Sequence, residues 1–299
     1  MPRIIRLPLK SPSSAPTWAL LAGAALWGVV WYPYRVLAKA GLDGIWSTAV
    51  TYALALAIGL AIFPRHAAGL LRMPRLAIVM GLAIGWSNLA YVLGVLEGDV
   101  MRVLLLFYLA PLWTVPIAWL VLRERLDAAG IAVMALAFAG AMVILWRPQI
   151  GLPWPAERAE WLGLAAGFLF ALGNVLVRKL DTMSDAGKSI VIWGGVTIAA
   201  VTYLPASQVA PAAAWSIAVD AWPLIAGIGA ALVAMSLAMQ YGLGRMAANR
   251  AIVILLFELV VAALASWLLT DETMRLQDWI GGALIVVASL LGGWLERRP

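Results

Sequence analysis

Glu258 is the one acidic side chain in the middle of an apolar stretch, 11 residues from Ala247 and 12 from Thr270. A carboxylate at such depth in a bilayer costs about 2.5–3.5 kcal/mol, so it calls for a partner, a proton or water. It serves either as an anchor for an amine or an exchangeable proton carrier, or as a neutral acid hydrogen-bonded to a neighbouring helix. Two further groups of polar residues lie inside apolar stretches: Asn88 with Trp86 and Tyr91, and Ser236 and Gln240 with Met235 and Met239. Spacings of three and four put Asn88 with Tyr91, and Ser236 with Met239 and Gln240, on shared helix faces. Amides avoid lipid, so these faces point inward, either lining a cavity or joining helices through hydrogen bonds that average about 0.6 kcal/mol. Trp27, Tyr108 and Asn174 also sit well inside apolar segments. The expected site is therefore Trp27, Trp86, Asn88, Tyr91, Tyr108, Asn174, Met235, Met239, Gln240 and Glu258. Such a cavity is mostly apolar and aromatic with a few polar groups, which suits a small amphipathic solute.

Other chemistries lack their residues. The single His66 lies in a basic loop, so a buried Ser-His pair or a His-rich metal site cannot form, and the eight Asp fall at segment ends or in loops. There is no Gly-rich phosphate loop followed by Lys-Ser/Thr, and no cysteine for disulfides, thiolate metal ligands or nucleophiles. An enzyme is not expected, nor a cofactor or a metal. The formal charge of +6 marks membrane topology rather than nucleic-acid binding.

The elements that position these residues are membrane helices. Hydrophobic residues make up 64% of the 299 positions and charged ones 12%, against about 45–50% and about 25% in soluble domains. Ten apolar segments follow, at 17–38, 44–63, 75–96, 100–122, 127–146, 160–180, 187–205, 220–243, 247–270 and 277–295, each near the ~20 residues that span a bilayer. The first is too long for a cleaved signal peptide and is expected to remain as a helix.

The chain also repeats itself. Arg102, Trp119, Glu124 and Trp146 recur 148 positions later as Arg250, Trp267, Glu272 and Trp294, and Trp18 and Arg35 recur 143 positions later as Trp161 and Arg178. The expected fold class is all-α integral membrane, with ten transmembrane helices in two inverted five-helix repeats, because a unit with an odd number of spans inserts upside down relative to its twin. Residues 1–16 form a cytoplasmic tail, 17–147 the first repeat, 148–159 a periplasmic linker and 160–299 the second repeat. Lys and Arg divide 15 to 6 between alternate loops, which puts both termini in the cytoplasm.

The fourth and fifth segments carry Pro111, a Glu124-Arg125 pair and Gly130. This region resembles the EamA family of the drug/metabolite transporter superfamily, and the runs around Trp27 and Pro111 look most like its aromatic amino acid exporters. The resemblance implies alternating access, with the first, third, fourth, sixth, eighth and ninth spans around a central cavity. It implies a multi-pass protein of the bacterial inner membrane that moves aromatic and other large neutral amino acids outward. The partners are then an amino acid substrate and membrane lipid, with no nucleic acid, in a monomer or weak homodimer. Export of lipophilic or quaternary ammonium cations, for which Glu258 and aromatic faces also serve, is the alternative, with an ion channel third. One departure stands out: the second half has Leu259 and Glu258 where the first has Pro111 and Ala110.

The repeated residues themselves fall at segment ends. Glu124 and Glu272 are expected to cap the fifth and tenth spans, with a gating contact second. Arg102 and Arg250 are expected to snorkel to the interface, with binding of a substrate carboxylate second, and most Trp to form interfacial belts. The Gly, Ala and Ser of the last span of each half permit close packing, either within the chain or between two copies.

Overall fold

Every helix end in a membrane protein must satisfy its own backbone groups, and the local sequence shows where that is done. Asp43 accepts from the Trp46 N–H, Asp127 from the Gly130 N–H at 2.8 Å and Ser184 from the Gly187 N–H at 3.1 Å, capping the helices that follow. In this computed structural model residues 14–69, 74–98, 100–146, 155–269 and 276–295 are described, and their regular structure is helical. The helices are α1 (Ala15–Lys39), α2 (Gly44–Ile62), α3 (Pro64–Gly69), α4 (Arg75–Glu97), α5 (Val100–Phe107), α6 (Ala110–Leu122) and α7 (Ala128–Leu145). They continue as α8 (Arg158–Lys179), α9 (Asp185–Tyr203), α10 (Pro211–Asp220), α11 (Trp222–Leu243), α12 (Ala248–Leu255), α13 (Phe257–Leu269) and α14 (Leu276–Leu295). Eight helical stretches are long and apolar enough to cross a membrane, and α7 and α14 contain shorter apolar runs, Ala128–Ile144 and Trp279–Leu291. Residues 1–13, most of the expected linker and Glu272 lie outside the described residues.

Two of those stretches are broken where the sequence suggests single helices. The fourth apolar segment divides into α5 and α6 at Tyr108 and Leu109, and the ninth into α12 and α13 at Leu256. At the first break Pro111 has no N–H to offer the Phe107 carbonyl, so the ladder is interrupted. The second break comes at the position 148 residues on, although Leu259 replaces the proline.

Glycine lets the helices approach closely. A Cβ on Gly195 would collide with the Gly81 carbonyl oxygen, and one on Gly85 with the Gly195 carbonyl oxygen, so α4 and α9 touch backbone to backbone. Gly140 and Gly281 do the same for α7 and α14, which run antiparallel: Gly140 meets Ile285, and Gly281 meets Ile144. The faces that carry Gly140 and Gly281 are thus consumed within the chain. Gly195→Ala is expected to cost about 3 kcal/mol, the upper end for overpacking, because the opposing atoms are backbone and cannot rotate away. A fall in the apparent unfolding temperature of the detergent-solubilised protein checks this, and an unchanged temperature would mean that the two helices separate freely.

α10 falls where no helix is expected. Trp215 and Trp222, the latter at the start of α11, are exposed while Ala214 is buried, and the preceding loop is tied to the start of α2 by a Ser207 hydroxyl donating to Asp43 and by the Trp46 indole N–H donating to Val209 O at 3.1 Å.

Candidate functional site

The two breaks face one cavity. It is lined by Phe107, Tyr108, Ala110 and Pro111 from the first break, by Ile252, Leu255, Leu256 and Glu258 from the second, and by Phe170 of α8. Three pairs among these are related by the repeat spacing of 148: Phe107 with Leu255, Tyr108 with Leu256, and Ala110 with Glu258. Discontinuous membrane helices facing a shared cavity place half-helix ends, with their unpaired backbone groups, around whatever enters. The cavity holds ≈ 10 Å³, about the room of one water, so a larger solute requires its aromatic walls to move.

Glu258 supplies the one ionisable carboxyl group among the lining residues. It stands in the first turn of α13, where the positive end of the helix favours a carboxylate, and it accepts a hydrogen bond from the Tyr108 hydroxyl. Tyr91 lies within electrostatic range of the same carboxyl. An aromatic chain surrounds it: the Tyr91 and Phe107 rings are 5.2 Å apart, Phe107 and Phe170 5.4 Å, and Phe107 and Tyr108 5.2 Å at 84°, distances and tilts that aromatic pairs favour. The backbone of Glu258 is itself held from behind. A Cβ on Gly28 of α1 would meet the Glu258 carbonyl oxygen at 2.8 Å and the Ala262 nitrogen at 3.0 Å, so α1 presses directly on the first turn of α13.

No basic side chain lines the cavity among the described residues. An acid within an aromatic wall attracts ammonium groups by charge and by the ring faces together.

A family model describing the EamA-like transporter family matches the chain twice, over residues 15–146 and 158–293. The chain belongs to this family. A membrane transporter of the EamA-like family moves small molecules, which fits a cavity lined by residues of both matched regions. No curated protein matches the chain. A solved structure titled "Crystal structure of protein" is similar, with a TM-score of 0.75 and 19% identity over 96% of this chain and 100% of that one; at that identity the likeness concerns the fold.

Within this EamA-like framework the expected site residues separate into groups. Tyr108 and Glu258 line the cavity, and Tyr91 adjoins it through Phe107. Asn88, Asn174 and Gln240 are inward, and Asn88 Oδ1, Asn174 Nδ2 and Gln240 Oε1 are buried without a hydrogen-bond partner. Trp27 packs against the core. Met235 is fully buried and the Met239 side chain would collide with a Cβ on Gly23 of α1, so this face of α11 is occupied by helix packing, and Ser236 is taken by the Trp193 indole, which donates to it at 2.9 Å. Trp86 does not line the cavity: it is 44% exposed and continues the outward apolar stripe of Ile78 and Leu82, one turn apart each. Its aromatic bulk beside Asn88 suggested an inward position, but the two residues fall on different faces of α4.

Phe107, Phe170, Ala110, Pro111, Ile252, Leu255 and Leu256 were not anticipated as a set. The signal was available in the repeat, since the positions flanking Pro111 map onto those flanking Leu259.

Glu124 and its surroundings form a second polar cluster, at the end of the bundle that carries Arg178 and Arg245. Glu124 does cap a helix, but not the one that follows it. Asp127 caps α7, and Glu124 Oε2 instead accepts from the Ala248 N–H of α12 at 2.9 Å.

Proposed function

We propose that this protein is an exporter of small amphipathic amines, aromatic and other large neutral amino acids first among them, working by alternating access in a bacterial inner membrane. The ten apolar segments then form two inverted five-span repeats with both termini in the cytoplasm. The single observation that carries the reading is the cavity between the two breaks, where repeat-related residues enclose one carboxylate within aromatic walls. Glu258 takes the substrate's ammonium group, and Phe107, Phe170 and Tyr108, with Tyr91 behind Phe107, its apolar side chain. Antiparallel packing of α7 against α14 supports the inverted relation of the halves. The consumption of the Gly140 and Gly281 faces inside the chain supports a monomer as the working unit.

A specific observation also favours a second substrate class. The lining residues include an acid and no base, an arrangement that suits lipophilic or quaternary ammonium cations as well as zwitterions. Competition in proteoliposomes separates the two. Excess phenylalanine is expected to suppress uptake of a labelled large neutral amino acid about tenfold, as one saturable site requires, and a quaternary ammonium compound less. Transport of the quaternary compound with no phenylalanine transport would assign the cavity to cations.

A further inference from the structure

The cluster around Glu124 sits where the two halves of the chain meet, at the end opposite α10. The turn that delivers it is specific. α6 ends with Arg123 in the left-handed conformation at φ 60°, its N–H returning to the Trp119 carbonyl at 3.1 Å, the pattern of an αL cap, and the Glu124 N–H reaches the Ala118 carbonyl at 3.3 Å. A non-glycine residue held there signals that the surrounding structure demands the turn. The turn directs the Glu124 carboxylate out of its own half and onto α12, where one oxygen accepts from the Ala248 N–H at 2.9 Å.

The other oxygen lies 3.7 Å from Nε of Arg178 at the end of α8, and Nη1 of the same guanidinium donates to the Gly244 carbonyl at 2.6 Å. Four elements are joined through two side chains: the turn after α6, the last turn of α8, the end of α11 and the first turn of α12. Beneath them Ala118, Val175 and Ala248, from α6, α8 and α12, form one buried cluster. α6 and α12 thus seal this end, whereas α5 and α13, their counterparts across the repeat, make no such extended contact among the described residues.

α12 connects this seal to the cavity. Its first residue, Ala248, is held by Glu124, and its last turns carry Ile252 and Leu255 of the cavity wall. Being only eight residues long and separated from α13 at Leu256, α12 can pivot as a short rod without dragging the rest of the segment.

We propose that Glu124 and Arg178 form the latch of the cytoplasmic gate, which holds α12 shut over the substrate cavity and must release before the cavity opens inward. This rests on the alternating-access reading above. The latch is made of a charge-assisted hydrogen bond and an ion pair, so its loss shifts the balance between inward-closed and inward-open forms without touching the substrate.

The chain has no cysteine, so one introduced cysteine reports access cleanly. Ala110→Cys places it in the cavity, and a membrane-impermeant maleimide is applied to vesicles of either orientation. In Glu124→Gln and Arg178→Met backgrounds, labelling from the cytoplasmic side is expected to rise on the order of tenfold, the effect of losing a charge-assisted hydrogen bond, while labelling from the opposite side falls. Ala248→Pro gives a variant that preserves the helix: proline is favoured at a first helical position, Ala247 already has the extended backbone a proline requires of its predecessor, and only the N–H that Glu124 accepts is removed. It is expected to show the same reciprocal change. Unchanged labelling from both sides in these variants would overturn the latch and leave the transporter reading standing. A simultaneous rise from both sides would contradict alternating access as well, because it describes a pore.

Discussion

Glu258→Gln is expected to weaken amine-substrate transport at least 30-fold while the protein folds and inserts as before. The exchange keeps the shape of the side chain and its contact with the Tyr108 hydroxyl, which donates equally well to an amide oxygen. It removes only the capacity to carry a negative charge. Loss of one partner from a buried charged pair costs about 2–5 kcal/mol, and 2 kcal/mol is already about 30-fold in affinity. Initial rates over a range of substrate concentrations check this, and the loss should fall mainly on apparent affinity. A variant with native kinetics would reduce Glu258 to a structural acid, held in the first turn of α13 and hydrogen-bonded to Tyr108.

Gly28→Ala is expected to produce a loss of similar kind from the opposite side of the same turn. The added methyl would meet the Glu258 carbonyl oxygen and the Val261 Cβ at 2.8 Å and the Ala262 nitrogen at 3.0 Å. Two of these are backbone atoms, so α1 and α13 must move apart. The carboxylate of Glu258 then leaves its place opposite the Phe107 and Phe170 rings. Binding groups work within about 0.5 Å of their proper geometry, and an outward shift of that size is expected to lower apparent affinity about tenfold. A decisive comparison is Gly227→Ala, at a glycine where an added Cβ meets nothing within 4 Å, which should leave transport untouched. Equal behaviour of the two variants would deny Gly28 a positioning role.

How far the residues alone lead can be judged from particular helices. The ends of α2, α4, α8, α9 and α11 fall within a few residues of the apolar segments, because hydropathy and span length constrain them together. Glu258 and Tyr108 were legible for a similar reason, as groups whose depth in the membrane needs an explanation. The breaks were less so. Pro111 announces one of them, but the break at Leu256 has no proline and follows from tertiary packing, with Gly28 pressing on the turn beyond it.

The same limit governs the misplaced and missed residues. Helical spacing says which residues share a face and leaves open which face is inward, so Trp86 and Asn88, two positions apart, could be separated only by knowing where α8 and α9 lie. Ser236 and Met239 do share a face, yet Trp193 and Gly23 fill it from neighbouring helices. The partner of Glu124 was hidden for a different reason: a carboxylate beside the start of α7 has an obvious local helix to cap, and only the left-handed turn at Arg123 sends it to a helix 124 residues away.

The central claim is that one cavity, with Glu258 at its centre, binds an amine solute and opens to each side in turn. Counterflow tests it most directly: proteoliposomes are loaded with unlabelled phenylalanine and diluted into a trace of the labelled amino acid. A carrier with a single alternating site accumulates label transiently above its equilibrium level, and Glu258→Gln sharply lowers that overshoot at the same loading. Simple equilibration without overshoot by the unaltered protein, or an ionic conductance under the same conditions, would contradict the account.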